Sequence, residues 1–285
     1  MNNAFVFSAA NVVFEHKLDN MNGVNVSMRH CHDDYEILYV LRGKGRYLIE
    51  GAEFEMQPRT LVFIRPFEYH FVEVKDVMDY DRYVINFSSS ALPKEMKSIF
   101  DKMIGEMSTD SGIFYSPENI SSGIMSIFDR FEYASSVPEP ERELYVKFLL
   151  SELLIHLSVS KKQLIAHNDL ELGARVAKYI NDYIERTHSL DQLAKRFFVS
   201  KYYLCHTFKK YSGVSIHSYI NHKRVLYAKQ LIEAGETASG AAYKVGFGDY
   251  SAFYRAYVKI LGVPPTSETK KRGAEKKRNN QEEKK

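Results

Sequence analysis

Cysteine is scarce in this chain. There are two in 285 residues, Cys31 and Cys205, far apart and without metal-type spacing. That excludes a disulfide framework and a cysteine-based zinc module, and makes a reduced cytoplasmic protein the default expectation. Long apolar runs are missing as well. None reaches the ~18 residues of a membrane span, so no membrane partner is expected. The opening "MNNAFVFSAANVVFEHK" lacks the basic start and unbroken apolar stretch of a secretory signal. Nor does one charge dominate, with 39 basic residues against 36 acidic ones. What is there is ordinary for a globular protein: 45% hydrophobic and 26% charged residues. The length allows two or three domains.

The small net charge of +3 conceals an uneven distribution. From Asp169 onward there are 22 basic and 12 acidic residues, a net of +10, against −7 for the residues before it. The last stretch, Lys270 to Lys285, holds 8 basic and 3 acidic residues. It reads as a disordered, solvated tail, yet the rest of that half keeps a net of +5. A basic half behind an acidic one points to a nucleic-acid-binding end.

Residues 24 to 87 read as strands. "YEILYVL", "GRYLIEG", "AEFEMQP", "TLVFIRP" and "YDRYVINF" are short, β-branched and aromatic, and are punctuated by Gly43, Gly45, Gly51, Pro58 and Pro66. Many short strands with no helices between them predict an antiparallel sandwich or barrel. After Pro93 the period changes. Met96, Ile99, Phe100, Met103, Ile104 and Met107 follow helical spacing. Ser116-Pro117 predicts a helix start, with Ile120, Ile124, Ile127, Phe128 and Phe131 on one face. A third helix, "LYVKFLLSELLIHLSV", is apolar around much of its circumference, which predicts burial on two sides. Intradomain packing and a dimer contact both fit that.

Beyond a linker, "SKKQLIAHNDL", every element reads as helical. Leu172, Val176, Tyr179, Ile180, Tyr183 and Ile184 form one stripe, and "SLDQ" at 189 to 192 fits a capping box. In "SLDQLAKRFFVSKYYLCHTFKKYSG" a short helix with Leu193 and Ala194 inward meets a tight turn at Phe198-Val199. Ser200 caps a second helix with Leu204 and Phe208 inward. This is a helix-turn-helix pattern. The order repeats in "SGAAYKVGFGDYSAFYRAYVKILG", with a turn at Gly246-Phe247-Gly248. Leu204 and Phe253, Phe208 and Tyr257, and Gly213 and Gly262 are each separated by 49 positions.

Residues 172 to 265 resemble the DNA-binding domain of AraC-family transcription regulators. The matching stretches are "LAKRFFVSKYYLCHTFKKYSG", "RVLYAKQLI" and "VGFGDYSAFYRAYVKILGVPP". The resemblance implies two helix-turn-helix units, joined by a central helix, entering successive major grooves of promoter DNA ~34 Å apart. Carried over by position, Tyr202, Cys205 and His206 face base edges from the first recognition helix. Tyr250, Ser251 and Arg255 do so from the second. Arg255 suits bidentate reading of guanine, whereas Lys201, Lys209 and Lys210 suit phosphates. Two features depart from the family. Ala238 and Ala241, with Gly240 between them, stand where large aliphatics are usual, which predicts a less rigid second unit. The closing Pro-x-x-Tyr-Arg becomes Pro265 followed by Glu268 and Thr269.

The stretch "HCHDDYE" at 30 to 36 raises a second question. His30, His32 and Glu36 share a parity, so a regular strand points them one way. With Gly43 and the distant His70, the set resembles the cupin barrel signature, although Pro58-Arg59-Thr60 replaces a Pro-x-Gly. AraC-family regulators often carry such a barrel as an effector domain. The three histidines and the carboxylate could hold Zn²⁺, Fe²⁺ or Mn²⁺. The expectation adopted is a pocket without a cofactor, hydrogen-bonding a small effector such as a sugar. Its candidate residues are His30, His32, Glu36, Tyr39, Arg46 and His70, with Tyr47 nearby as pocket wall or core.

The expected fold is therefore α+β. A cupin-like antiparallel barrel occupies 1–92, and a helical dimerisation segment follows at 93–160. A linker at 161–170 leads to a double helix-turn-helix domain at 171–268 and a basic tail at 269–285. The expected function is effector-controlled, homodimeric regulation of transcription without enzymatic activity, more often activation, with RNA polymerase then a partner. The competing expectations are a cupin metalloenzyme fused to a DNA-binding domain and a dimeric regulator that needs no ligand.

Overall fold

A computed structural model describes residues 3–21, 25–26, 30–50, 52–74, 78–105, 113–121, 123–161, 172–186 and 189–265. The chain forms two compact units, Met1–Asn168 and Asp169–Lys285. Among the described residues no helix is long and apolar enough to cross a membrane.

The first unit opens with β1 (Asn3–Ala9) and β2 (Val12–Met21). Their connection is the two-residue turn Ala10-Asn11, with both residues at positive φ. That geometry matches the twist of a hairpin. These two strands lie ahead of the region that the sequence marks as β. The others are β3 (Asn25–Val26), β4 (Tyr35–Arg42), β5 (Gly45–Ile49), β6 (Ala52–Met56), β7 (Leu61–Ile64), β8 (His70–Val74), β9 (Met78–Phe87) and β10 (Ile113–Tyr115).

Every ladder is antiparallel. The large sheet runs β1-β2-β9-β4-β7-β10 and the small one β3-β8-β5-β6. The expected barrel is corrected here: among the described residues the two sheets face each other without closing. The physical reason is that β1 and β2 at one side and β10 at the other extend the large sheet and take up the hydrogen bonds of its flanking strands.

Alternation sorts the large sheet's side chains onto two buried faces. Leu38, Val40, Val62, Ile64 and Val84 meet Tyr47, Ile49, Phe54, Val72 and Val74 of the small sheet. Ile37, Tyr39, Phe63, Tyr83 and Phe87 point the other way, under the helices α1 (Lys97–Gly105), α2 (Ile124–Ala134) and α3 (Glu141–Val159). Phe131 stacks on Phe14 at 5.5 Å and Phe128 on Tyr39 at 5.0 Å. The helical segment is thus built onto the sheet. α2 begins at Ile124 and not at Pro117, where there is only a single tight turn. The stretch before it pairs as β10 instead, with Ile113, Phe114 and Tyr115 all buried.

The second unit contains α4 (Leu172–Asp182), α5 (Leu190–Arg196), α6 (Lys201–Ser212), α7 (Ile216–Glu233), α8 (Ala238–Lys244) and α9 (Tyr250–Leu261). Met107, nearly all of the linker and everything from 266 on, including Glu268, Thr269 and the basic tail, lie outside the described residues.

Candidate nucleic-acid interface and ligand pocket

Each short helix of the second unit is started by a side chain. Ser189 and Gln192 form the expected capping box on α5, at 3.1 Å in both directions. Ser200, Thr237 and Asp249 accept from Tyr203, Gly240 and Ala252 to start α6, α8 and α9. Val199 N–H closes back on the Ala194 carbonyl, and Phe247 N–H on that of Ala242. Both turns therefore end their first helix in the same way. α5 with α6, and α8 with α9, are two copies of one helix-turn-helix.

The second copy carries one extra residue in its turn, five between helices against four. The recognition helices α6 and α9 match throughout at an offset of 49, from their caps Ser200 and Asp249 to the left-handed Gly213 and Gly262 that end them. Leu204 and Phe208 are fully buried, as are Phe253 and Tyr257. The small residues of α8 do not leave the second helix-turn-helix without a core. Ala241 is itself buried, in one cluster with Val225, Ile232, Phe253 and Tyr257.

The proposed reading residues lie away from that core. On α6, Tyr202 is 83% exposed and stacks on His206, which is also exposed. Cys205 is half-buried, and Lys209 and Lys210 are exposed. Lys201 pairs with Asp191 of α5 at 2.9 Å. Both side chains are exposed, so the pair is worth no more than about 1 kcal/mol and yields easily to a phosphate. On α9, Tyr250, Ser251 and Arg255 are exposed. Arg255 has no ion pair or hydrogen bond among the described residues, so its guanidinium is available. The offset of 49 puts Arg255 at the position of His206 and Ser251 at that of Tyr202. It also identifies a residue the sequence reading missed: Tyr254, 41% exposed, occupies the position of Cys205.

A buried arginine ties the unit together. Arg224, on α7, donates to the carbonyls of Ile184 and Arg186 ahead of α5. Its guanidinium also approaches the Phe247 ring of the second turn, at 5.9 Å.

The candidate ligand pocket lies at one end of the space between the sheets. His30 and His32 precede β4, and a bend at Asp33-Asp34 separates them from Glu36, so one regular strand does not carry all three. His30 bridges to His70 at the start of β8, and the four side chains converge nonetheless. Their ligand atoms all lie within 4.8 Å of one another. His32 Nε2 is 3.2 Å from Glu36 Oε2, His70 Nε2 is 3.9 Å from Oε1, and the Tyr47 hydroxyl donates to Oε1 at 3.3 Å.

Burial favours the neutral form of Glu36, but the His32 hydrogen bond and the surrounding imidazoles outweigh it and lower its pKa to about 2. Burial dominates at His70 and lowers it to about 4, against the pull of Glu36. Near neutral pH, Glu36 is ionised and His70 is not.

Two expected pocket residues are corrected. Tyr39 is three positions from Glu36 and so on the opposite face, stacked on Phe128. Arg46 is one position from Tyr47 and points outward, where it pairs with Glu53 and Glu73. Tyr47 takes the place expected of them.

The match to known proteins follows the same division. Residues 22–154 match the AraC-like ligand binding domain and residues 193–271 a helix-turn-helix domain. An uncharacterised HTH-type transcriptional regulator of Bacillus subtilis, YbfI, is 25% identical over 78% of this chain and 79% of its own. The HTH-type transcriptional activator RhaS of Klebsiella pneumoniae is 22% identical over 79% and 81%. Among solved structures, ToxT of Vibrio cholerae aligns over 89% of this chain and 96% of its own, at a TM-score of 0.39 and 14% identity. The chain belongs to the AraC family: it is a transcription regulator with an N-terminal ligand-binding domain and a C-terminal double helix-turn-helix.

Proposed function

We propose that this protein is a homodimeric activator of transcription, acting in the cytoplasm, that a small effector controls through the pocket between its sheets. The observation that carries the reading is the pair of matched recognition helices, each capped, each with its outer face exposed. Tyr202, Cys205, His206, Tyr250, Ser251, Tyr254 and Arg255 read bases, while Lys201, Lys209 and Lys210 meet phosphates. Activation is supported by the name of the RhaS relative, and it makes RNA polymerase a partner. The relatives named as regulators also support a role without catalysis. The effector is held by His30, His32, Glu36, His70 and Tyr47. Coupling to DNA is reciprocal, so promoter DNA changes effector affinity by the same factor as effector changes DNA affinity.

Selection of fragmented genomic DNA by the purified protein, followed by sequencing, tests the reading. Enrichment of paired half-sites in successive major grooves is expected, and uniform recovery of the genome rejects it. Two substitutions then separate the contacts. Arg255→Ala is expected to cost about 1–3 kcal/mol on the selected site and to relax one base preference. Lys209→Ala is expected to weaken all sequences alike and to flatten the salt dependence by about one unit of slope. Identical behaviour of the two variants in a binding titration rules out the base-contact role of Arg255.

A further inference from the structure

We propose that His30, His32, Glu36 and His70 bind one divalent transition-metal ion of the Zn²⁺, Fe²⁺ or Mn²⁺ class. The proposal deepens the reading of this pocket as the regulator's ligand site. It stands on the local chemistry of four side chains, and DNA binding plays no part in its test.

The donors converge where an ion can reach them all. Two ligands bound at ~2.1 Å can lie at most ~4.2 Å apart. A cluster whose ligand atoms fall within 4.8 Å closes on an ion by small side-chain rotations. The ring centroids of His30 and His70 are 4.4 Å apart, and those of His32 and His70 are 5.1 Å apart.

The orientation of the rings is the stronger observation. His32 Nδ1 is 2.9 Å from the Asp34 carbonyl, and His70 Nδ1 is 2.8 Å from the Glu68 carbonyl. A carbonyl only accepts, so each Nδ1 carries the hydrogen. On both rings Nε2 is the atom turned to Glu36: at His70 the neutral ring leaves it a bare lone pair, and at His32 it is hydrogen-bonded to Glu36 Oε2 at 3.2 Å and gives up its proton to an ion that takes its place. Backbone hydrogen bonds that fix the tautomer and expose Nε2 are the usual support behind a ligating histidine. At His70 the result is a conflict. Its side chain is 1% exposed, its Nε2 is buried, and no protein group among the described residues donates to it. Instead it faces the carboxylate oxygen at 3.9 Å, lone pair to lone pair. An unsatisfied buried acceptor facing an anion is costly. A cation between them turns the conflict into two bonds.

The donor set selects the class of ion. Three imidazoles and one carboxylate suit borderline metals, whereas calcium and magnesium prefer oxygen-only shells. Cys31, between the two histidines, is buried and is not part of the cluster, so no thiolate joins the set.

The test uses the full chain without a histidine tag, stripped with chelator and desalted. Zn²⁺, Mn²⁺ or, without oxygen, Fe²⁺ is added, excess is removed, and retained metal is measured by elemental analysis alongside thermal unfolding. At least one of the three is expected to remain at about one ion per chain and to raise the melting temperature of the ligand-binding unit. His70→Ala and Glu36→Gln are expected to lose the ion. If His70→Ala does not fold, His30→Ala serves, since His30 is exposed and its ring can be removed without opening the core. Replacement of the exposed His217 in the other unit is expected to change nothing. A wild-type chain that retains none of the three ions overturns the proposal. So does a folded His30→Ala/His32→Ala chain that retains as much metal as wild type.

Discussion

A Gly246→Val chain is expected to lose its second helix-turn-helix, and with it specific binding to a paired DNA site. Gly246 has a φ of +86°, which a β-branched residue adopts only at a cost of about 1–3 kcal/mol. Space is the larger obstacle. A Cβ at this position would lie 2.2 Å from the Glu185 carbonyl oxygen and 2.8 Å from the Arg224 guanidinium. Neither can retreat readily, because Arg224 is itself anchored to the carbonyls of Ile184 and Arg186 on either side of Glu185. The turn must move, and Phe247 and Val245 leave the cluster they share with Phe253.

The first helix-turn-helix shows why the residue must be glycine only here. Phe198 stands at the corresponding turn with a φ of +56°, but it is 94% exposed, so nothing opposes its side chain. Calorimetry of the full chain is expected to show the C-terminal transition lowered by about 10 °C or more, taking about 4–8 °C per kcal/mol for a unit of this size. The N-terminal transition should stay in place. An unchanged C-terminal transition would mean that the clamp around Glu185 is looser than its distances indicate.

That clamp is not written in any local pattern, and it marks where sequence reading stops. The double helix-turn-helix was legible because its signals are local: Ser189 and Gln192 cap within four residues, and the 49-residue offset is visible by eye. The same offset of 49 places Tyr254 opposite Cys205. The convergence of His30, His32, Glu36 and His70 was anticipated by parity, although a bend, not a regular strand, delivers the first two. Parity also contained the correction to the pocket. Tyr39 is an odd number of positions from Glu36, and Arg46 is one from Tyr47, so each had to face away from its neighbour's side.

What parity cannot supply is which face meets what, since β4 is buried on both sides and its apolar run carries no alternation. The strands β1, β2 and β10 were missed for related reasons. The Ala10-Asn11 turn has no glycine to announce it, and three residues are too short a run for β10 to show a period. These strands make the large sheet six wide, which is the difference between the expected barrel and the open pair of sheets.

The second large effect is expected on α3. Its inner face is complete within the unit, with Val146, Leu149, Leu150, Leu153, Leu154 and Leu157 buried. Leu144, Phe148, Ile155 and Val159 are left 56%, 59%, 44% and 79% exposed. Their spacings of four, seven and four place them on one face, in the rhythm of a helix that packs on another helix. A second copy of α3 across a two-fold axis would cover that stripe with the same stripe, and each substitution would then count twice. Phe148→Glu with Ile155→Glu is therefore expected to give a monomer in light scattering. The loss of about 1.5–3 kcal/mol of apolar burial per side chain is compounded by like charges brought together. The fold should survive, because both sites are exposed and the inner face is untouched. DNA binding should then separate into two results. Affinity for one chain's site, the two successive grooves read by α6 and α9, should be unchanged. Affinity for two such sites side by side should fall by about 10²–10⁴-fold, because the second chain's contact is no longer intramolecular. A variant that keeps the dimer mass would place the interface elsewhere on the chain. One that becomes a monomer yet binds the double site as tightly as before would show that dimer formation adds nothing to DNA affinity.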